Sequence, residues 1–206
     1  MNKLIVIAAI TALSATISLA SEEGGAKFGV RAGFNLIDPS SGNKEEDKYI
    51  NMGTGFGAGL VAAIPISGPL AIRAGIEFHY RTIYEFSFNE DPYLLESTLT
   101  ELALNIPAMI QYGFGDAWAG VGVQVDIPFS TENEYSEKWG SIASSGTVKV
   151  KNRNSMDFGI AIGAGYNATP QIGIDLKCII GMTSLSGESG DKSSYKQYGI
   201  GAAYFF

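Results

Sequence analysis

The sequence predicts an all-β protein: an eight-stranded antiparallel up-and-down transmembrane β-barrel with four long outer loops and short periplasmic turns. Three observations predict it. Apolar residues alternate with small or charged ones at period two along eight segments, which marks strands. Tight breaker clusters and long polar stretches alternate between those segments, as in a barrel meander. Charged residues are only 17% of the chain and Gly reaches 26 positions, against about 25% charged in an ordinary soluble domain.

The first twenty residues stand apart. "MNKLIVIAAITALSATISLA" has a basic start at Lys3, a short apolar core and small residues at Ser18 and Ala20. This is the pattern of a secretory signal peptide, with cleavage expected between Ala20 and Ser21. The other reading is an anchor helix, but the apolar core is too short to span a bilayer. Ser21 in place of Cys excludes lipid attachment there. Residues 21–206 are read as one barrel domain. Without Lys3 they hold 13 basic and 21 acidic residues, a net charge of −8. That balance excludes nucleic acid as a partner, because phosphate binding needs clustered Lys and Arg. Cys178 is the only cysteine, so there is no disulfide framework.

The strands follow in order. In "KFGVRAGFNL", Phe28, Val30, Ala32, Phe34 and Leu36 oppose Lys27, Gly29, Arg31, Gly33 and Asn35. Gly53 to Ile64 is less clean, with Val61 and Ala63 on the small face. In "LAIRAGIEFHYR", Leu70, Ile72, Ala74, Ile76, Phe78 and Tyr80 oppose Arg73, Gly75, Glu77, His79 and Arg81. "ELALNIPAMIQY", "WAGVGVQVDI", "MDFGIAIGAGY" and "IGIDLKCIIGM" repeat the split, with Glu101, Asp126, Asp157, Asp175 and Lys177 on the small face. "PISGP", "GFGD" and "NATPQ" supply the tight turns. The long polar stretches run over about 37–52, 82–97, 129–155 and 183–194.

Two barrels fit this pattern: a soluble lipocalin-like carrier, apolar inside, and an outer-membrane barrel, apolar outside. The Gly-rich face decides for the second. It is too bare of Lys and Glu for a water-facing exterior. As a lumen, it leaves room for Arg31, Arg73, Glu77, His79, Arg81, Glu101, Asp126, Asp157, Asp175 and Lys177 to form a charge network. Leaving His79 aside, that list holds four cations and five anions. Strands of about ten to twelve residues suit a tilted crossing. Tyr80, Tyr112, Tyr166, Tyr204 and Phe206 fall at expected girdle positions.

"FGVRAGFNL", "LNIPAMIQYGFG" and "DFGIAIGAGYNATPQIGIDLKCIIGMTSL" resemble the outer-membrane β-barrel domain of the PorT-like family. The L-x-I-P element at Leu104–Pro107 and the F-G-x-x-x-G-x-G-Y element at Phe158–Tyr166 are its most specific parts. The resemblance spans 26–206. It implies a barrel of a Gram-negative outer membrane and carries no catalytic motif.

Chemical motifs give little. "GAGLVA" and "GAGYNA" match a dinucleotide fingerprint, but no helix can follow either. No cofactor is expected. His79 is the sole histidine; with Glu77 it gives the alternative of a lipid-modifying enzyme, against the reading of a polar lumen residue. The acidic stretch "DPSSGNKEEDKY" lacks the closing Glu of an EF-hand. Acids and aromatics in the outer stretches, among them Phe86, Phe88, Tyr93, Tyr135 and Trp139, lead us to expect a structural or surface-interaction protein without general porin activity. Its expected partners are outer-membrane lipids and lipopolysaccharide, and an extracellular or envelope protein at the loops. The chain ends on Tyr198, Ile200, Ala202, Tyr204 and Phe206, one aromatic-rich face of the closing strand. This is expected to serve as a signal to the outer-membrane assembly machinery.

Overall fold

The computed structural model describes residues 25–41, 45, 47–151, 153–185 and 193–206. The expected leader, with Ala20 and Ser21, lies outside them, as do Glu46, Glu188 and Asp191 of the acidic outer stretches. Nine strands form one antiparallel sheet. They are β1 (Lys27–Ser40), β2 (Ile50–Ser67), β3 (Leu70–Glu90), β4 (Tyr93–Phe114), β5 (Ala117–Trp139), β6 (Ile142–Lys149), β7 (Asp157–Asn167), β8 (Ile172–Gly181) and β9 (Ser194–Phe205). The order is β4-β3-β2-β1-β9-β8-β7-β5-β6, and β4 also pairs with β5. Eight strands therefore close a ring, and β6 is attached outside it. Closure runs through β1 and β9, where Val30 faces Tyr204 and Ser40 faces Ser194. A closed ring satisfies every ladder group without water, which a lipid-spanning sheet requires.

The period-two pattern sets the two faces. Along β9, side chains alternate strictly between buried and exposed from Tyr195 to Phe205. Val121 and Val123 point outward and are more than half exposed, whereas Arg81, Glu101 and Asp126 are at most 1% exposed inside. The apolar band has a measurable height. Leu70 pairs with Tyr112 at one rim, and Tyr80 pairs with Leu102 at the other. Ten residues of a strand tilted about 40° cover roughly 25 Å, the height of the lipid-facing band in such barrels.

The long outer stretches are largely strand, which their polarity concealed. β3 continues ten residues beyond Tyr80 and meets β4 across Glu90 and Tyr93. β5 runs on to Trp139 and turns back as β6. Above the lipid both faces of a sheet can meet water, so alternation there no longer separates apolar from polar. The register across Thr82/Tyr84 and at Leu102/Ala103 shifts where the sheet leaves the band, as bulges at barrel rims do.

Candidate functional site

Buried polar and charged side chains point into the lumen, and among the described residues their charges form two groups. The lower group, nearer the short turns, is built on Arg31. Its Nε and Nη2 donate to Asp175 at 2.6–3.2 Å, and its Nη1 donates to Glu77 at 2.7 Å. Arg73 Nη2 donates to Asp175 Oδ2 at 3.1 Å, an oxygen that Arg31 Nε also reaches. Lys177 lies 3.5 Å from Glu77. Glycine makes the space: a Cβ on Gly201 would sit 2.2 Å from Arg31 Nη2, and one on Gly57 would sit 2.2 Å from the His79 ring.

The upper group is built on Arg81, which donates to Glu101 at 2.6 and 3.1 Å and to Asp126 at 3.1 Å. Asp126 also accepts from Asn105 Nδ2 at 2.5 Å and from the Tyr195 hydroxyl at 2.6 Å. The Arg81 guanidinium lies over the Tyr195 ring. A fifth cation comes from outside the strands. Arg153 donates to Glu101 at 2.7 Å, to the Leu185 carbonyl at 2.8 Å and to both oxygens of Asp157. The lower group thus holds three cations (Arg31, Arg73, Lys177) and two anions (Glu77, Asp175). The upper holds two cations (Arg81, Arg153) and three anions (Glu101, Asp126, Asp157). Among the described residues these charges balance at five of each, but they are polarised along the barrel axis.

Apolar layers bound these groups. Ile37, Ile83, Leu99, Leu185 and Tyr195 pack together at the outer mouth. Met109, Trp118, Ala161 and Ile179 form a second cluster, and Val61, Ala203 and Phe205 a third. The void among Arg31, Glu77, Met109 and Asp175 is ≈ 10 Å³, at the limit for a single water. On the short-turn side a wider cavity of ≈ 200 Å³ opens below Arg73 and Trp118.

His79 is 2% exposed and its Nε2 is 3.2 Å from Glu77. Its Nδ1 has no partner among the described residues. No serine hydroxyl bonds to it there, and it faces the lumen, away from bilayer lipid. Arg153 and the apolar cap are lumen residues that strand reading passed over, whereas Asn105 and Gln124 lie buried on the face that strand alternation gives to the lumen. The one signal for Arg153 was arithmetic: the lumen face alone carries five acids against four cations.

Beyond the lipid, aromatic rings connect the projecting strands. Tyr49 meets Phe86 and Phe88 at 6.0 and 5.2 Å, Phe88 meets Tyr93 at 6.0 Å, and Tyr93 meets Trp139 at 6.1 Å. Trp139 and Ile142 are 65% and 74% exposed at the tip. Tyr198, Ile200, Tyr204 and Phe206 lie exposed on the outer face of the closing strand and its end, with Ala202 between them.

A family model described as outer membrane protein beta-barrel domain matches residues 18–187. Among solved structures, Ail of Yersinia pestis, in complex with the heparin analogue sucrose octasulfate, is 11% identical. That match covers 89% of this chain and 100% of that one, with a TM-score of 0.51. Neisserial surface protein A is 16% identical over the same shares, with a TM-score of 0.47. At these identities the likeness is one of fold alone. No curated protein matches the chain. With the family model spanning most of the sequence and an eight-stranded ring behind it, the chain belongs to the outer membrane protein β-barrel domain family, whose place is the outer membrane of a Gram-negative cell.

Proposed function

We propose that the protein is a structural and surface-interaction barrel, binding partners through the sheet that β3–β6 raise beyond the lipid, and that it does not act as a general porin. The observation that carries this reading is the projecting sheet itself. Ten residues of β3 beyond Tyr80 extend about 33 Å, a large investment for a mere connection. Its tip presents Trp139, Ile142 and the ring series from Tyr49 to Tyr93, and exposed aromatic surface of this kind marks interaction sites. β6 is a free edge among the described residues, and strand edges accept extended partners. The packed lumen and its apolar outer cap support the absence of porin activity.

Within the family, the L-x-I-P and F-G-x-x-x-G-x-G-Y elements favour kinship with PorT-like barrels. The lipid face is suited to outer-membrane lipids and lipopolysaccharide. Tyr198, Ile200, Ala202, Tyr204 and Phe206 form the segment we assign to recognition by the assembly machinery. Burial of His79 favours a non-enzymatic role.

The test compares cells displaying the protein with cells displaying a variant in which 84–95 and 134–147 are replaced by short turns. Both are scored against extracellular and envelope proteins at matched outer-membrane levels. Binding lost with the extension supports the reading. Binding that persists unchanged contradicts it.

A further inference from the structure

The short-turn end of the barrel carries a pocket that the charge network alone does not explain. Its ≈ 200 Å³ lie between the turns at Pro65–Pro69, Gly113–Ala117 and Asn167–Pro170, with Arg73, Gln111, Trp118 and Phe205 as the roof. Short turns face the periplasm in such barrels, so the pocket opens there, and packed side chains close it above. Three observations give it a chemistry. Arg73 is 8% exposed, and among the described residues its only hydrogen bond uses Nη2, toward Asp175. Nε and Nη1 remain free to donate. The guanidinium is held between the Trp118 and Phe205 rings, 5.0 and 5.6 Å from their centroids, so its position is fixed before any ligand arrives. Gln111, 6% exposed, also lines the roof, and its side-chain amide has no hydrogen bond among the described residues.

The field favours an anion. The lower charge group has three cations for two anions, while at the rim Lys27, 3.4 Å from the Pro170 carbonyl, is matched by Asp116 in the Gly113–Ala117 turn. Asn167 adds a polar side chain, and Ala63, Pro65, Ala71, Ala117 and the two aromatic rings supply apolar wall. A guanidinium with free N–H donors binds a carboxylate through charge-assisted hydrogen bonds. Aromatic and proline walls take an apolar body beside it. The volume is below the roughly 300–1,000 Å³ of a drug-sized site, so one group the size of an amino-acid residue fills it.

We propose that this periplasmic vestibule is a binding site for an organic carboxylate attached to a compact apolar group. Arg73 and Gln111 hold the carboxylate, and Trp118, Phe205 and the proline rim hold the body. The carboxylate can belong to a free organic acid or to the end of a peptide.

Trp118 reports on the site directly. The chain has two tryptophans, so the Trp139→Phe variant leaves Trp118 as the only one. That full-length mature protein, folded in nanodiscs, is titrated with N-acetylphenylalanine, N-acetylphenylalaninamide and inorganic phosphate. Phenylacetate and a tetrapeptide ending in a free Phe carboxyl distinguish the two sources. The expected result is a saturable change in Trp118 emission with the carboxylates, at least tenfold weaker binding of the amide, and no competition by equal phosphate. Arg73→Gln raises the Kd at least tenfold. Ala71→Leu fills the pocket without touching the charges and abolishes binding, so it decides the matter if Arg73→Gln fails to fold. No saturable change, equal binding of the amide, effective competition by phosphate, or unaltered affinity in folded Ala71→Leu would each overturn the proposal.

Discussion

Arg153 and Glu101 join two parts of the chain that strand periodicity keeps apart. Arg153 lies outside the ring strands, in the stretch before β7, yet its Nε donates to Glu101 on β4 at 2.7 Å inside the barrel mouth. It also grips Asp157 and the Leu185 carbonyl, so one side chain ties two outer connections to the lumen wall. Arg153→Ala leaves three buried acids against Arg81 alone. Breaking a buried pair in this way costs about 3–5 kcal/mol. Urea unfolding of the reconstituted protein checks it, and adding Glu101→Gln should recover part of the loss. A change under about 0.5 kcal/mol would mean that Arg153 is solvated in practice.

Tyr195 gives a second, smaller test of the same group. Its hydroxyl donates to Asp126 at 2.6 Å, while its ring belongs to the apolar outer cap. Tyr195→Phe keeps the ring and removes the donor. We expect about 1–3 kcal/mol of destabilisation, the cost of removing one hydrogen bond to a buried carboxylate that keeps its bonds to Arg81 and Asn105. The loss should shrink in an Asp126→Asn background, measured by the same unfolding titration.

Glycine on the lumen face is predicted to be a matter of volume. A Cβ on Gly201 would sit 2.2 Å from Arg31 Nη2, and that guanidinium cannot retreat while Asp175 and Glu77 hold it. Gly201→Ala should destabilise by roughly 1–3 kcal/mol, as overpacking does. Gly113 is the matched comparison, because a Cβ there would meet only the Pro69 carbonyl, at 3.5 Å. Gly113→Ala should stay within about 0.5 kcal/mol. Equal effects at the two positions would remove the volume argument.

The outer face should respond to charge by depth. Val123 stands in the apolar band and is 56% exposed. Val123→Arg should cost about 2–4 kcal/mol, whereas the same substitution at Val148 on β6, beyond the lipid, should cost close to nothing. Unfolding from lipid vesicles gives both numbers, and a like penalty at Val148 would place β6 within the bilayer.

These relationships divide by how far the chain's own periodicity reaches. The ring strands and their inward charges were legible because lipid and a packed lumen impose opposite demands on alternate residues. Arg31, Arg73, Glu77 and Asp175 follow from counting by twos. Beyond the cap of Ile83 and Leu99 both faces of the sheet meet water, so β6 and the outer parts of β3–β5 read as polar loops. Arg153 and Leu185 come from irregular backbone, and nothing periodic marks a residue that folds back into a mouth. The division of the charges into a cationic lower and an anionic upper group needs the register between strands, which no single strand contains.

The proposed absence of porin activity requires that side chains fill this barrel from the Arg73 layer to the cap of Ile37, Ile83, Leu99, Leu185 and Tyr195. Single-channel recording of the purified protein in planar bilayers tests it most directly. The packing predicts a closed baseline without stable conductance steps. A steady, large open-channel current would contradict it.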